Sequence, residues 1–249
     1  MSEYYELEPS LNTFKTLSIQ TTYKCQQTCA NCYLGEMLNN DSIPDVDLIK
    51  FEEAIKQLPK RTDIRFIGAE PTMNPNLTKL IKIARRNGHR PSLLTNGLKL
   101  RREPYAQELK DAGLNLLGIS MNGGLENDIY VDMDNGKYAK LKMEALENIF
   151  KVKMLPHINV ILDPSNVHVV GPLIDYIVEM ALKHNVKFSP TKFPVMLRLK
   201  SVGKMGFYKD THTFSIHELK KIVTDLHGDD IDFIDTIDGH LEKRSLTYK

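Results

Sequence analysis

Cysteine is scarce in this chain. Of 249 residues only three are Cys, and all fall between positions 25 and 32. An odd number so tightly grouped does not make a disulfide framework, and a reduced, cytoplasmic setting is the expectation. Long apolar runs are missing as well. No stretch of about 18 such residues occurs, so no membrane span is expected. The opening MSEYYELEPS is acidic and polar, the wrong character for a secretory signal. Neither charge sign is in excess. A formal net charge of +1 sets up no global field of the kind that marks a nucleic-acid or membrane-surface protein; nucleic acid stays open as a partner but is not favoured. No internal repeat beyond a strand–helix unit, no low-complexity tract and no linker is visible, which predicts one domain over 1–249.

What is present is a 41% hydrophobic complement, enough for a substantial core. β-rich runs alternate with longer amphipathic segments. Strands are predicted at Leu17–Thr21, Asp63–Ile67, Pro91–Leu94, Leu116–Ser120, His157–Leu162 and Val186–Ser189. Helices are predicted near Val46–Leu58, Asn76–Asn87, Tyr105–Ala112, Tyr138–Val152 and Pro172–His184, with apolar positions three and four apart, as in Leu77, Leu80, Ile81 and Ala84. Ser215, with Glu218 three residues on, caps a further helix to Leu226. Such alternation predicts an α/β fold of right-handed βαβ units on a parallel sheet, either an open doubly wound sheet or an incomplete barrel.

Breakers follow the strands. Gly68 and Pro71 come after the second, Asn96–Gly97 after the third and Asn122–Gly123–Gly124 after the fourth. Tight turns need such residues anyway, but strand C-termini are also where α/β proteins build sites.

The cysteines read Cys25-Gln-Gln-Thr-Cys29-Ala-Asn-Cys32. Three thiolates on one loop can converge on one metal centre. Structural zinc wants four protein ligands, and no fourth Cys exists here. A catalytic zinc with three ligands, or three inert buried cysteines, are the alternatives. A four-iron cluster normally takes four Cys; three would leave one iron open to a small molecule.

With Tyr33 following the Cx3Cx2C loop, and Gly68-Ala69-Glu70-Pro71 one residue away from Gly-Gly-Glu-Pro, the sequence resembles the radical S-adenosylmethionine (radical SAM) superfamily. The Thr95-Asn96-Gly97 and Ser120-Met121-Asn122-Gly123 turns are similar to those of the branch that includes peptide-modifying and molybdopterin-type enzymes. The resemblance runs from about Leu17 to Pro190. It implies a partial (β/α)6 TIM-like barrel over 17–190, with an extension over 191–249 covering the mouth or side. It further implies an oxygen-sensitive [4Fe–4S] cluster held by Cys25, Cys29 and Cys32, whose open iron takes S-adenosylmethionine. Reductive cleavage would then give methionine and a 5′-deoxyadenosyl radical that abstracts a substrate hydrogen.

Carried over to this sequence, the resemblance assigns Glu70 and the Gly68–Ala69 backbone to the methionyl ammonium. Thr95 and Asn96 belong to the same cofactor site, Ser120 and Asn122 meet the ribose, Asn159 contacts the cofactor, and Tyr33 lies toward the adenine. Relatives often carry an acid where Asn122 stands. The expected partners are a peptide or small-molecule substrate and an electron donor such as flavodoxin or ferredoxin. RNA modification and a non-catalytic electron-transfer or redox-sensing module are the alternatives.

No Cys lies beyond Cys32 in these residues, so they hold no Cys-ligated second cluster and no thiol hydrogen donor. Tyr33 and Tyr208 are the candidate donors in its place. Between Lys187 and Lys209 there are six Lys or Arg and no acid. Arg198, Lys200 and Lys204, expected just past the last strand, are candidates for an anion on substrate or cofactor; a solvated face is the ordinary reading.

Overall fold

The computed structural model describes residues 16–186, 195–201, 213–227, 233–235 and 241–243. Six strands, β1 (Thr16–Gln20), β2 (Asp63–Ile67), β3 (Arg90–Thr95), β4 (Leu116–Ser120), β5 (Leu155–Leu162) and β6 (Met196–Ser201), pair in sequence order and all in parallel. Two short strands, β7 (Phe233–Asp235) and β8 (Leu241–Lys243), extend the sheet beyond β6 in antiparallel sense, with β8 next to β6. Helices α1 (Leu48–Lys56), α2 (Leu77–Arg86), α3 (Glu103–Asp111), α4 (Asn127–Asp134), α5 (Ala139–Lys151), α6 (Val170–Lys183) and α7 (Ile216–His227) fill the crossovers and follow β6. This is the partial TIM-like barrel expected from the sequence. Among the described residues no helix is long and apolar enough to cross a membrane.

Strand alternation sorts the two faces of the sheet. Ile64 and Phe66, Leu93, Leu117 and Ile119, Ile158 and Val160, and Leu197 and Leu199 are buried in one continuous core with the apolar stripes of α2, α5 and α6. The Phe51 ring of α1 lies 5.8 Å from that of Phe66. The alternate positions point into the barrel and are largely polar. Gly118 is required there: a Cβ would come within 2.3 Å of Leu94 Cδ2 and 3.1 Å of Asn159 Nδ2.

Caps set the helix ends. Asp47 accepts from Ile49 N at 3.0 Å and Lys50 N at 2.8 Å at the start of α1. Ser215 and Glu218 exchange bonds ahead of α7, Ser215 N to Glu218 Oε2 at 2.7 Å and Glu218 N to Ser215 Oγ at 3.3 Å, the reciprocal box expected from the sequence.

The sixth strand is a correction. Val186, expected to open it, instead closes α6: Asn185 is left-handed (φ 53°), and Val186 N donates to Ala181 O at 2.9 Å, the Schellman arrangement. The strand that pairs with β5 starts at Met196, where Met-Leu-Arg-Leu-Lys-Ser alternates with the period of a half-buried strand. Arg198 and Lys200 therefore lie within the strand and not beyond it. Residues 187–189, Lys204 and Tyr208 lie outside the described residues.

Candidate active site

The C-terminal ends of β1 to β5 surround a cavity of about 360 Å³. Its lining brings together Cys25, Cys29, Cys32, Tyr33, Gly68, Ala69, Glu70, Thr95, Asn96, Ser120 and Asn122. Eleven positions expected to share a site from four stretches of sequence thus face one space.

The loop after β1 carries the cysteines and is fixed from three sides. Asn39 Oδ1 accepts from Cys25 N at 2.8 Å. Asn96 Nδ2 lies 3.7 Å from Cys25 Sγ, and Asn96 Oδ1 accepts from Gln26 Nε2 at 3.2 Å. From the C-terminus of α4, Met133 O accepts from Ala30 N at 2.9 Å, and Asn135 Nδ2 donates to Thr28 Oγ1 at 2.8 Å. Cys29 is thus flanked on both sides by residues tied to α4.

Gly68–Ala69–Glu70 runs along the start of this loop, with Ala69 N donating to Thr22 O and Glu70 N to Lys24 O, both at 3.0 Å. The approach is close enough that a Cβ on Gly68 would sit 2.8 Å from Thr22 O, so glycine is required. Glu70 is only 1% exposed. Its Oε1 accepts from Thr72 N (3.0 Å), Thr72 Oγ1 (2.7 Å) and Thr95 Oγ1 (2.6 Å), and its Oε2 from Asn96 N (2.7 Å). The carboxylate knots the turns after β2 and β3 together. Three donors crowd Oε1 but only one meets Oε2, which keeps acceptor capacity at the cavity. Tyr33 is 53% exposed, and its hydroxyl donates to Gln20 Oε1 at 3.1 Å, placing it at the rim.

Asn159 is not part of this lining. It pairs with Ser120 and Arg198 one level below Ile161, and its Nδ2 donates to His157 O at 3.0 Å. Arg198 and Lys200 alternate with buried Leu197 and Leu199 and pair across from Asn159 and Ile161. Both cations therefore project from the inner face of β6, Lys200 at the level of the cavity-lining Ile161.

Two functional groups escaped the sequence reading. Asp134, the last residue of α4, lines the cavity, and Lys142 of α5 lies 3.3 Å from its Oδ2, the two side chains being 2% and 0% exposed. Lys142 did carry a signal. It falls on the stripe Ala139, Lys142, Ala145, Leu146 and Ile149, all buried, where an apolar residue is the rule. Nothing local marked Asp134.

A Radical SAM superfamily model matches residues 19–168. The chain belongs to the radical SAM superfamily. It is 30% identical over 186 residues to a 7,8-dihydro-6-hydroxymethylpterin dimethyltransferase of Methanocaldococcus jannaschii, a match covering 71% of this chain and 36% of that protein. It is 23% identical over 256 residues to a probable GTP 3′,8-cyclase of Methanococcus maripaludis, covering 94% of this chain and 82% of that one. Its fold is similar to that of Streptococcus suis SuiB bound to the precursor peptide SuiA, with a TM-score of 0.65 at 14% identity, covering 86% of this chain and 46% of SuiB. The chain thus spans about a third of the dimethyltransferase and about half of SuiB.

Radical SAM enzymes use a [4Fe–4S] cluster and S-adenosylmethionine. The donor set fits the cluster. All three cysteines are free thiols and line one cavity. Such clusters take Cys thiolates as their protein ligands. Burial pushes the Cys25 thiol up to about 11, against an opposing hydrogen bond from the Gln27 N–H. Burial raises Cys29 further, and the Asp134 charge adds to it. A cluster takes its cysteines as thiolates, so loading it would release these protons.

Proposed function

We propose that this radical SAM enzyme acts on a small molecule or peptide carrying an anionic group, with Cys25, Cys29 and Cys32 as the cluster ligands. Held by these three thiolates, a [4Fe–4S] cluster would supply the electron for reductive cleavage of S-adenosylmethionine, the chemistry that would allow hydrogen abstraction from the substrate. The cysteine loop and the Gly68–Glu70 turn orient the cofactor, with Glu70 Oε2 accepting from the methionyl ammonium. The barrel wall excludes water from the reacting carbon. Arg198 and Lys200 hold the substrate anion. The observation that carries this reading is the direction of Arg198 and Lys200, which project into the barrel beside the strand that lines the cysteine cavity. Relatives named for GTP and for a pterin support a heterocyclic small molecule over a peptide.

The test separates cofactor from substrate. With dithionite and S-adenosylmethionine the protein should release 5′-deoxyadenosine slowly without substrate. Arg198→Gln and Lys200→Gln should leave that rate unchanged and raise KM for the substrate about tenfold or more. Loss of substrate-free cleavage in these variants would move the two cations to the cofactor, and no effect on either reaction would remove them from the site.

A further inference from the structure

Asn122 stands in the turn after β4 and lines the cavity, yet its amide is already engaged. Oδ1 accepts from Ile161 N at 3.0 Å, and Nδ2 donates to Asp134 Oδ1 at 3.1 Å. Buried Asn166 reinforces the same junction, its Nδ2 donating to Asn122 O and Ile161 O, each at 2.8 Å. Asn122 is therefore a brace between the ends of β4, β5 and α4. What it braces is a carboxylate.

Asp134 is held from its other side by Lys142, whose Nζ is 3.3 Å from Oδ2, donates to Ser120 O at 2.8 Å and lies 5.1 Å from the Tyr130 ring centroid. The Tyr130 hydroxyl in turn donates to Gly124 O at 3.1 Å. A buried carboxylate fixed so firmly, while still lining a cavity, is presented to a ligand. Its chemistry says which kind. An ionised carboxylate has about four acceptor sites and no donor. Among the described residues one donor meets each oxygen of Asp134, Asn122 Nδ2 on Oδ1 and Lys142 Nζ on Oδ2. One acceptor site is left on each oxygen. Two hydroxyls on adjacent carbons match that pair, each giving one proton to one oxygen.

We infer that Asp134 receives the vicinal 2′- and 3′-hydroxyls of the S-adenosylmethionine ribose, a contact delivered by α4 and held in place through Asn122. Lys142 and Asn122 are positioning residues for this carboxylate. The inference rests on the reading that the cysteine cavity holds S-adenosylmethionine.

The experiment is calorimetric binding to cluster-loaded protein, comparing S-adenosylmethionine with its 2′-deoxy and 3′-deoxy analogues. The unaltered protein should bind each analogue about ten- to a hundredfold more weakly, as expected for one lost hydrogen bond to a charged group. Asp134→Asn should bind the parent more weakly and discriminate among the three ligands less than about threefold. The variant leaves Lys142 buried without its anion, so the double variant Asp134→Asn/Lys142→Met provides the same comparison if the single one does not fold. Equal binding of all three ligands by the unaltered protein would overturn the inference without any variant. So would full discrimination surviving in either variant, which would put the carboxylate against the sulfonium or leave it with a purely structural role. Failure of the unaltered protein to bind S-adenosylmethionine at all would be a different result, sinking the cavity reading and this inference with it.

Discussion

Replacing Glu70 by Gln should unsettle the protein before any cofactor is present. The carboxylate accepts from two fixed backbone N–H groups, Thr72 N on Oε1 and Asn96 N on Oε2, and from two hydroxyls, Thr72 Oγ1 and Thr95 Oγ1. The hydroxyls can rotate to suit a new partner. The backbone groups cannot. In either orientation of a Gln amide, its NH2 faces one of the two N–H donors, leaving that donor unsatisfied in a site where Glu70 is 1% exposed. An orphaned buried donor costs about 1–3 kcal/mol, and the bonds that survive lose their charge assistance. The sum is roughly 2–4 kcal/mol, equivalent to roughly 4–16 °C in melting temperature for a chain of this size. Urea unfolding of cluster-free protein, followed by circular dichroism, measures it. A midpoint for Glu70→Gln unchanged from the parent would show that the knot contributes nothing and return Glu70 to a cofactor-only role. If Glu70 also receives the methionyl ammonium, the folded, cluster-loaded variant should bind S-adenosylmethionine at least about tenfold more weakly.

Three further outcomes follow from the same geometry. Anaerobically reconstituted protein should hold about four irons per chain, and Cys25→Ala, Cys29→Ala and Cys32→Ala should each lose the brown cluster absorbance; full loading in any one variant would remove that thiol from the ligand set. Gly118→Ala should destabilise the protein by about 1–3 kcal/mol, because its Cβ would meet Leu94 Cδ2 at 2.3 Å; Leu94→Ala added to it should restore part of the loss in a thermal melt, and a stabilised single variant would contradict the packing described for the inner face. If a protein side chain returns a hydrogen atom to the substrate radical, Tyr33, at the rim with its hydroxyl on Gln20, is the candidate among the described residues. Solvent deuterium at the abstracted carbon should disappear in Tyr33→Phe, and incorporation that survives would exclude this route through Tyr33.

What could be read from sequence was what is local. The cysteine spacing, the turn residues after the second, third and fourth strands, and the capping box at Ser215 are each written within a few residues, and the structure brings the first two sets to one cavity. The sixth strand was misplaced because Val186 is apolar for two competing reasons. It fits a strand, but it also fits the position after a left-handed Asn185 where a Schellman motif packs an apolar residue against the helix it ends. Arg198 and Lys200 looked like a basic loop because charge hid a period of two. Only pairing with β5 fixes which face they take.

Lys142 and Asp134 mark a different limit. A lysine at a position where the helical repeat calls for an apolar residue carries a definite implication: its ammonium must find an anion or an acceptor if the helix docks by that stripe. The sequence thus announces a buried counter-charge without saying where it is. Eight residues earlier, Asp134 ends a short helix that no clear periodicity foretold, and its carboxylate meets Lys142 only because Asn122 and the cysteine loop tie the end of α4 to the barrel mouth. The same ties that make Asp134 invisible to a local reading are those that hold it beside Cys29. A buried ion pair contributes little net stability on average, so its place at this cavity is better explained by the fixed position it gives a carboxylate than by what it adds to the fold.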